Sequence, residues 1–279
     1  MSAGWKERAL REVVGRALAE DLAGYGDLTG AGFGDRGRAR VEARERGVLS
    51  GSAAFICAAR LVDKALEVDF AVADAASFAA GETLATLVGP LCSILACERT
   101  ALNFLSRLSG VATLTARFVA ETAGTKAAIA ATRKTTPGLR ALEKAAVLHG
   151  GGRPHRFGLF DAAMIKDNHI AAAGGVTPAI EAVRARLAHA HGLIVEVDTL
   201  AQLDEALAVG VPAVLLDNMD VATVKRAVEH VAGRAVVEAS GGVRLEDVRP
   251  LAEAGVDVIS VGALTTKAPW IDLSLVVGD

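Results

Sequence analysis

Aromatic side chains are scarce in this chain: they make up 4% of its 279 residues, with one Tyr and two Trp. The interior therefore has to be built from Ala, Val and Leu, which suits helices packed closely on parallel strands. No apolar run approaches the roughly 20 residues that span a bilayer. The opening segment MSAGWKERALREVV lacks the apolar stretch of a secretory leader, so a cytoplasmic location is expected. Cys57, Cys92 and Cys97 form no CxxC pair and have no His at zinc spacing. They are expected to be small buried hydrophobes, with no disulfide and no zinc site. A strong charge of one sign is also missing: the net charge is −3, which argues against nucleic acid as the main partner. With 52% hydrophobic and 23% charged residues, disorder is excluded, and the length allows one large domain or two modest ones.

What is present changes texture near Gly124. Before it, Trp5 to Ala23 reads as a helix, because Leu10, Val13, Val14, Ala17 and Leu18 recur on one face. GYGDLTGAGFGDRG has to be loop. Ala39, Val41 and Ala43 alternate with charges, the mark of a half-exposed strand. Phe55 to Leu66 reads as a helix, Leu84 to Val88 as a short strand and Cys92 to Leu108 as a long amphipathic helix, so this half is α+β. After Gly124, the apolar runs AAIAAT, DAAMIKD, GLIVEVD, AVLLDN, AVVEAS and VDVISVG alternate with helical stretches. Those stretches run from Thr177 to Ala190, Leu200 to Val209, Val221 to Ala232 and Leu245 to Ala254. Repeated strand–helix units of this length mean a parallel sheet, closed or nearly closed as an α/β barrel. Polar residues then fall at the carboxyl ends of the strands: Thr132-Arg133-Lys134, Lys166-Asp167, Glu196 with Asp198, Asp217-Asn218, Glu238 with Ser240, and Ser260 to Gly262. That rim is where such folds bind ligands.

The segment from Thr132 to His169 concentrates charge. Arg133, Lys134, Arg140, Lys144, Arg153, Arg156 and Lys166 face only Glu143, Asp161 and Asp167, and His149, His155 and His169 lie among them. Like charges repel, so such an excess needs a reason. The cations are interleaved with Gly, Pro, Thr and His rather than spaced along a helix face. The reading is a pocket for a polyanionic small molecule, with Arg as forked donor to carboxylate or phosphate and Lys as compact charge. The competing reading is a solvated basic face.

Taken in order, TRKTTPGLR, EK, GGG, HR, GL and IKDNH resemble the quinolinate phosphoribosyltransferase family. EDLAGYGDLTG and ERTALNFLSRLSGVAT resemble it too, as do VEVDT, LLDNM, EASGGV and ISVGALT at family-like intervals. The resemblance covers nearly the whole chain; each piece is weak and the colinear set is specific. It implies an α/β protein with an N-terminal α+β open sandwich domain (1–112 plus 269–279) joined to an incomplete α/β barrel (113–268) with phosphate-binding strand ends. It also implies that IDLSLVV returns as a strand to the first domain.

The resemblance further implies the site. Thr132, Arg133, Lys134, His155, Arg156 and Lys166 match positions that bind an anionic pyridine substrate. Arg99 matches an arginine that reaches the site of a neighbouring subunit, which makes the protein a homo-oligomer, dimer or hexamer. The local alternative for Arg99 is a helix-surface ion pair with Glu98. Glu196 and Asp217 match carboxylates near the ribose hydroxyls and Mg²⁺, held directly or through water. Helix capping is the alternative for Asp198 and Asn218. Ser240, Gly241 and Gly242, with Gly262 and Ala263, are assigned to the sugar 5-phosphate, because glycine lets backbone N–H groups approach an anion. His149 is read as a loop residue, His169 as a support for Lys166 or its strand end, and His189, His191 and His230 as surface histidines. The implied reaction joins quinolinate to phosphoribosyl pyrophosphate with loss of pyrophosphate and CO₂, with Lys134 or Lys166 assisting decarboxylation. Ala145, Pro154 and Ile194 depart from the family pattern, which bears on selectivity and on the setting of the His155–Arg156 loop. Three other readings stand beside this one. They are a paralogue acting on another base, a Schiff-base aldolase with Lys166 as nucleophile, and a binding protein without turnover.

Overall fold

A computed structural model describes residues 3–278. The chain divides into two compact units, one of residues 1–116, 136–151 and 268–279, the other of residues 117–135 and 152–267.

The first unit opens with α1 (Ala3–Leu22), whose Val14 and Leu18 are buried and whose Leu10, Val13 and Ala17 pack against the same core. Then follow β1 (Arg36–Ala43), β2 (Gly47–Val48), α2 (Ser52–Val62), β3 (Glu67–Phe70), β4 (Ser77–Phe78), β5 (Thr83–Pro90) and α3 (Leu91–Ala120). Helix α2 starts earlier than the sequence suggests because Asp74 accepts from both the Ser52 amide and hydroxyl, at 3.2 and 2.8 Å. It ends earlier because Asp63 is extended and its carboxylate accepts from the Ala65 amide, an Asx turn. Strand β3 was not singled out by the sequence; it is an edge strand beside β5.

Helix α3 runs well past Leu108. Ser109-Gly110 does not break it: Gly110 is where the backbone at Pro269 lies against the helix, and a Cβ there would collide with the Pro269 carbonyl oxygen. The basic run also holds an unexpected helix, α4 (Arg140–His149), so two of its seven cations, Arg140 and Lys144, do lie on a helix. Its sequence RALEKAAVLH is rich in strong helix formers, which explains it. The last strand, β12 (Leu273–Val277), pairs antiparallel with β1, completing a sheet of order β12-β1-β5-β3. The expected return strand is therefore present. On β1, Ala39, Val41 and Ala43 point inward and are fully buried. Cys97 is buried in the core of this unit, and burial pushes its thiol up to about 12, so it is inert as a nucleophile. Cys57 and Cys92 are only half-buried, short of the burial expected of them.

The second unit is built from β6 (Ala128–Ala130), β7 (Ala162–Ile165), α5 (Asp167–Ala173), α6 (Val176–Arg184), β8 (Gly192–Val197) and α7 (Leu200–Ala208). These are followed by β9 (Ala213–Asp217), α8 (Val221–Val231), β10 (Val236–Ser240), α9 (Leu245–Glu253), β11 (Val258–Ser260) and α10 (Ala263–Thr266). All six strands pair in parallel, in the order β6-β11-β10-β9-β8-β7. The first strand joins the last, as in a barrel. Among the described residues no ladder links β6 to β7, so the barrel is incomplete. One face of the strands is buried through Val195, Val197, Val214, Leu216, Val237 and Ile259, and on the other face Leu215 is 4% exposed, as a helix-covered parallel sheet requires. Helix α6 stops at Arg184, short of Ala190; the Arg184 guanidinium donates to the carbonyls of Val209 and Gly210.

Gly110→Ala is expected to destabilise the protein by about 1–3 kcal/mol, the usual cost of forcing atoms into a packed contact. A denaturation midpoint equal to that of the parent would contradict the close approach.

Candidate functional site

Strand register alone places the acids. Glu196 of β8 and Glu238 of β10 both sit beside Leu215 of β9, and two residues further on Ser240 pairs with Asp217. Side chains repeat on one face with period two, so these residues form two tiers on one face of the sheet. Glu196 and Glu238 make the lower tier, at 9% and 4% exposure. Asp217 and Ser240 end their strands at the rim.

Buried carboxylates need partners, and the basic segment supplies them. Lys166 follows the last residue of β7 and lies next along the row; its Nζ donates to Glu196 Oε2 at 2.5 Å. His155 Nε2 lies 3.1 Å from Glu238 Oε2, and both side chains are largely buried. Arg156 donates to the Ala162 carbonyl at 3.1 Å. Its guanidinium is held below its ordinary pKa, first by burial and then by the charge of Arg133, while Asp161, Glu196 and Glu238 act the other way. Arginine stays charged under such a shift. Arg133 and three carboxylates, Asp161, Glu196 and Glu238, therefore share one electrostatic neighbourhood with Arg156.

Lys134 comes to the same rim from the end of β6. Thr132 Oγ1 accepts from its amide at 3.0 Å, and its carbonyl accepts from Thr265 Oγ1 at 2.5 Å. Its side chain passes over Gly262, where a Cβ would stand 3.1 Å from Lys134 Cδ. Gly262 leads directly into α10, which begins at Ala263. Gly241, at φ +98, lies where any Cβ would strike the side chain and amide of Asn218. Asn218 is itself left-handed, at φ 52. Its amide donates to Ser240 O at 3.0 Å and its Nδ2 to Asp217 Oδ2 at 2.6 Å. The ends of β9 and β10 are thus locked together through a glycine that only glycine can replace.

Not every candidate gathers here. Arg99 lies on α3 in the first unit, 66% exposed in its side chain and only 3.9 Å from Glu98. Arg140 and Lys144 lie on α4, also in the first unit, and Lys144 is 2% exposed. Beside it Glu143, fully buried, accepts from Arg107 at 2.7 Å and from the hydroxyl and amide of Thr136 at 2.8 and 2.9 Å. His149 ends α4 rather than lying in a loop, and its Nδ1 meets Ser50 Oγ at 2.9 Å. His169 supports Lys166, whose amide donates to His169 Nδ1 at 3.0 Å. His189 and His191 are exposed between α6 and β8, and His230 pairs with Asp204 on the surface. The helix caps are Thr199 and Asp220, which accept from Gln202 and Thr223, not Asp198 and Asn218. Glu238 was placed on the rim by the sequence but was given no role there. The signal was present: in EAS it is two residues before Ser240, on the same face.

Comparison with known proteins agrees with this architecture. Residues 27–109 match the quinolinate phosphoribosyl transferase N-terminal domain, and residues 111–276 match the C-terminal domain. The chain is 42% identical over 279 residues to a nicotinate-nucleotide pyrophosphorylase (carboxylating) of Mycobacterium leprae, covering 96% of each. It is 41% identical over 263 residues to a probable nicotinate-nucleotide pyrophosphorylase (carboxylating) of Synechocystis, covering 92% of this chain and 89% of that one. A solved nicotinate-nucleotide pyrophosphorylase from Francisella tularensis superimposes with a TM-score of 0.94 at 37% identity, covering 98% of this chain and 97% of that one. With both domain matches spanning nearly its whole length, the chain belongs to the quinolinate phosphoribosyltransferase family.

Proposed function

We propose that this protein converts quinolinate and phosphoribosyl pyrophosphate into nicotinate mononucleotide, pyrophosphate and CO₂, a step of de novo NAD biosynthesis. The carrying observation is the row of paired charges at the carboxyl ends of the parallel strands, where Lys166 meets Glu196 and His155 meets Glu238. A dicarboxylate and a polyphosphate can share one pocket only if cations offset their repulsion and hold them in register. Arg133, Lys134, His155, Arg156 and Lys166 are assigned to the quinolinate carboxylates, with Thr132 setting the Lys134 backbone. Glu196 and Asp217 accept from the ribose hydroxyls. Backbone amides at Ser240, Gly241 and Gly242, and at Gly262 and Ala263, take the 5-phosphate.

In the first step the pyridine nitrogen forms a bond to the sugar carbon as the bond from that carbon to pyrophosphate breaks. The carboxylates of Glu196 and Asp217 favour the positive charge that develops on the sugar. In the second step the bond from the ring to its 2-carboxylate breaks, CO₂ leaves, and the electron pair stays on the ring carbon. The quaternised nitrogen stabilises it, and Lys134 or Lys166 supplies the proton that replaces the carboxylate. Lys166 starts this sequence bound to Glu196, so substrate must compete with that pair.

Among the described residues no cluster of three or more His, Cys, Asp and Glu makes a preformed metal cage. Mg²⁺ binds one or two carboxylates and otherwise keeps substrate phosphates and water. Glu196 and Asp217, at the ends of adjacent strands, would hold it. When bound, the ion neutralises charge on the departing pyrophosphate. No helix among the described residues is long and apolar enough to cross a membrane. Arg99, exposed and loosely paired, is assigned to the active site of a second subunit in a homo-oligomer.

Turnover of quinolinate with phosphoribosyl pyrophosphate and Mg²⁺, read as CO₂ and nicotinate mononucleotide, is expected, with nicotinate alone giving none. No turnover of either pyridine would overturn the reading. Arg99→Ala and Lys166→Ala are each expected to be inactive. Mixed and allowed to exchange subunits, they should recover about a quarter of parental activity if the assembly is a two-fold dimer. Verified exchange without recovery would place Arg99 outside the shared site.

A further inference from the structure

We propose that Glu238 is a positioning residue that acts through His155, fixing which ring nitrogen meets the quinolinate carboxylate. The inference rests on the functional reading above and extends it to a residue that reading leaves without a role.

Three observations carry it. First, His155 Nε2 lies 3.1 Å from Glu238 Oε2, with side-chain exposures of only 10% and 6%. With the Glu238 carboxylate as acceptor, Nε2 carries the hydrogen. The nitrogen left to face a ligand is then Nδ1. Second, the His155 backbone is left-handed, at φ 53, directly after Pro154. Such a conformation is costly for a residue with a Cβ and persists only where surrounding contacts hold it. The Glu238 contact is such a restraint, and it comes from strand β10, a rigid element, rather than from the loop itself. Third, the other carboxylate oxygen, Glu238 Oε1, is buried without a hydrogen-bond partner. Burying a carboxylate oxygen this way is unfavourable, and native structures tolerate it chiefly where function requires it.

A simple packing role does not explain these facts together. An apolar residue would fill the lower tier without leaving a bare oxygen, as Leu215 does between the two glutamates. Glu238 lies within electrostatic reach of Arg156, as do Arg133, Asp161 and Glu196. Glu238 thus adds a negative charge behind the cations that receive the substrate. It orients the His155 ring so that Nδ1 is the nitrogen turned to the substrate. It does not touch the substrate itself.

The test combines ring-nitrogen NMR of His155 with steady-state kinetics for Glu238→Gln and Glu238→Leu. In the ligand-free parent, His155 is expected to show hydrogen on Nε2. In Glu238→Leu that tautomer preference should be lost. Glu238→Gln keeps the shape but not the charge; its KM for quinolinate is expected to rise about tenfold or more, the scale of a charged hydrogen bond. The KM for phosphoribosyl pyrophosphate and the denaturation midpoint should stay near parental values. A merely structural role would move the midpoint and leave the split between the two KM values unchanged. Parental quinolinate KM in both variants, or an Nδ1–H tautomer in the parent, would overturn the proposal. If the parent itself fails to turn over quinolinate, the functional reading falls, while the tautomer pattern still decides whether Glu238 positions His155.

Discussion

Two carboxylates buried one strand apart on the same face of a parallel sheet constrain this site. Glu196 and Glu238 stand on either side of Leu215, at 9% and 4% exposure. A buried carboxylate is costly unless it is paired and hydrogen-bonded. Lys166 and His155 meet that demand, and in doing so they fix the ends of β7 and of the loop before it. Arg133 and Arg156 then lie close enough to repel each other, a repulsion the same carboxylates offset. The site is thus held in tension between cations that receive an anionic substrate and acids that keep those cations together.

The glycines serve the same geometry. Gly262 lets Lys134 cross the start of α10, and Gly241 lets the ends of β9 and β10 meet through Asn218. A Cβ at Gly241 would strike Asn218, and one at Gly262 would crowd the Lys134 side chain. Fold and chemistry are therefore coupled at the strand ends: backbone closeness supplies amide donors, and strand register supplies the charged tiers. In the first unit, Glu143 plays an analogous part, anchoring Thr136 and Arg107 around one buried carboxylate.

Much of this was legible in the residues. Alternating apolar runs and helices disclosed the parallel sheet, because strands buried on both faces read as short unbroken Val, Leu and Ala segments. The polar residues that follow those runs located the rim. Helix α4 was missed because its charges looked like ligand contacts; Lys144 is in fact buried, a fate no charge pattern announces. The extension of α3 was missed because Gly110 resembles a stop, whereas a distant backbone segment at Pro269 is what requires it. The contact of Glu238 with His155 escaped because the two are far apart in sequence and only the fold brings them together. The caps at Thr199 and Asp220 lie one and two residues from the acids and amides that seemed suited to the task.

The central claim is that this row of charges recognises two carboxylates on one ring. Calorimetric binding of quinolinate and of nicotinate to the parent protein tests it most directly. The second carboxylate should contribute at least one further charged hydrogen bond, so quinolinate is expected to bind about tenfold or more tightly. Equal affinities would contradict the account.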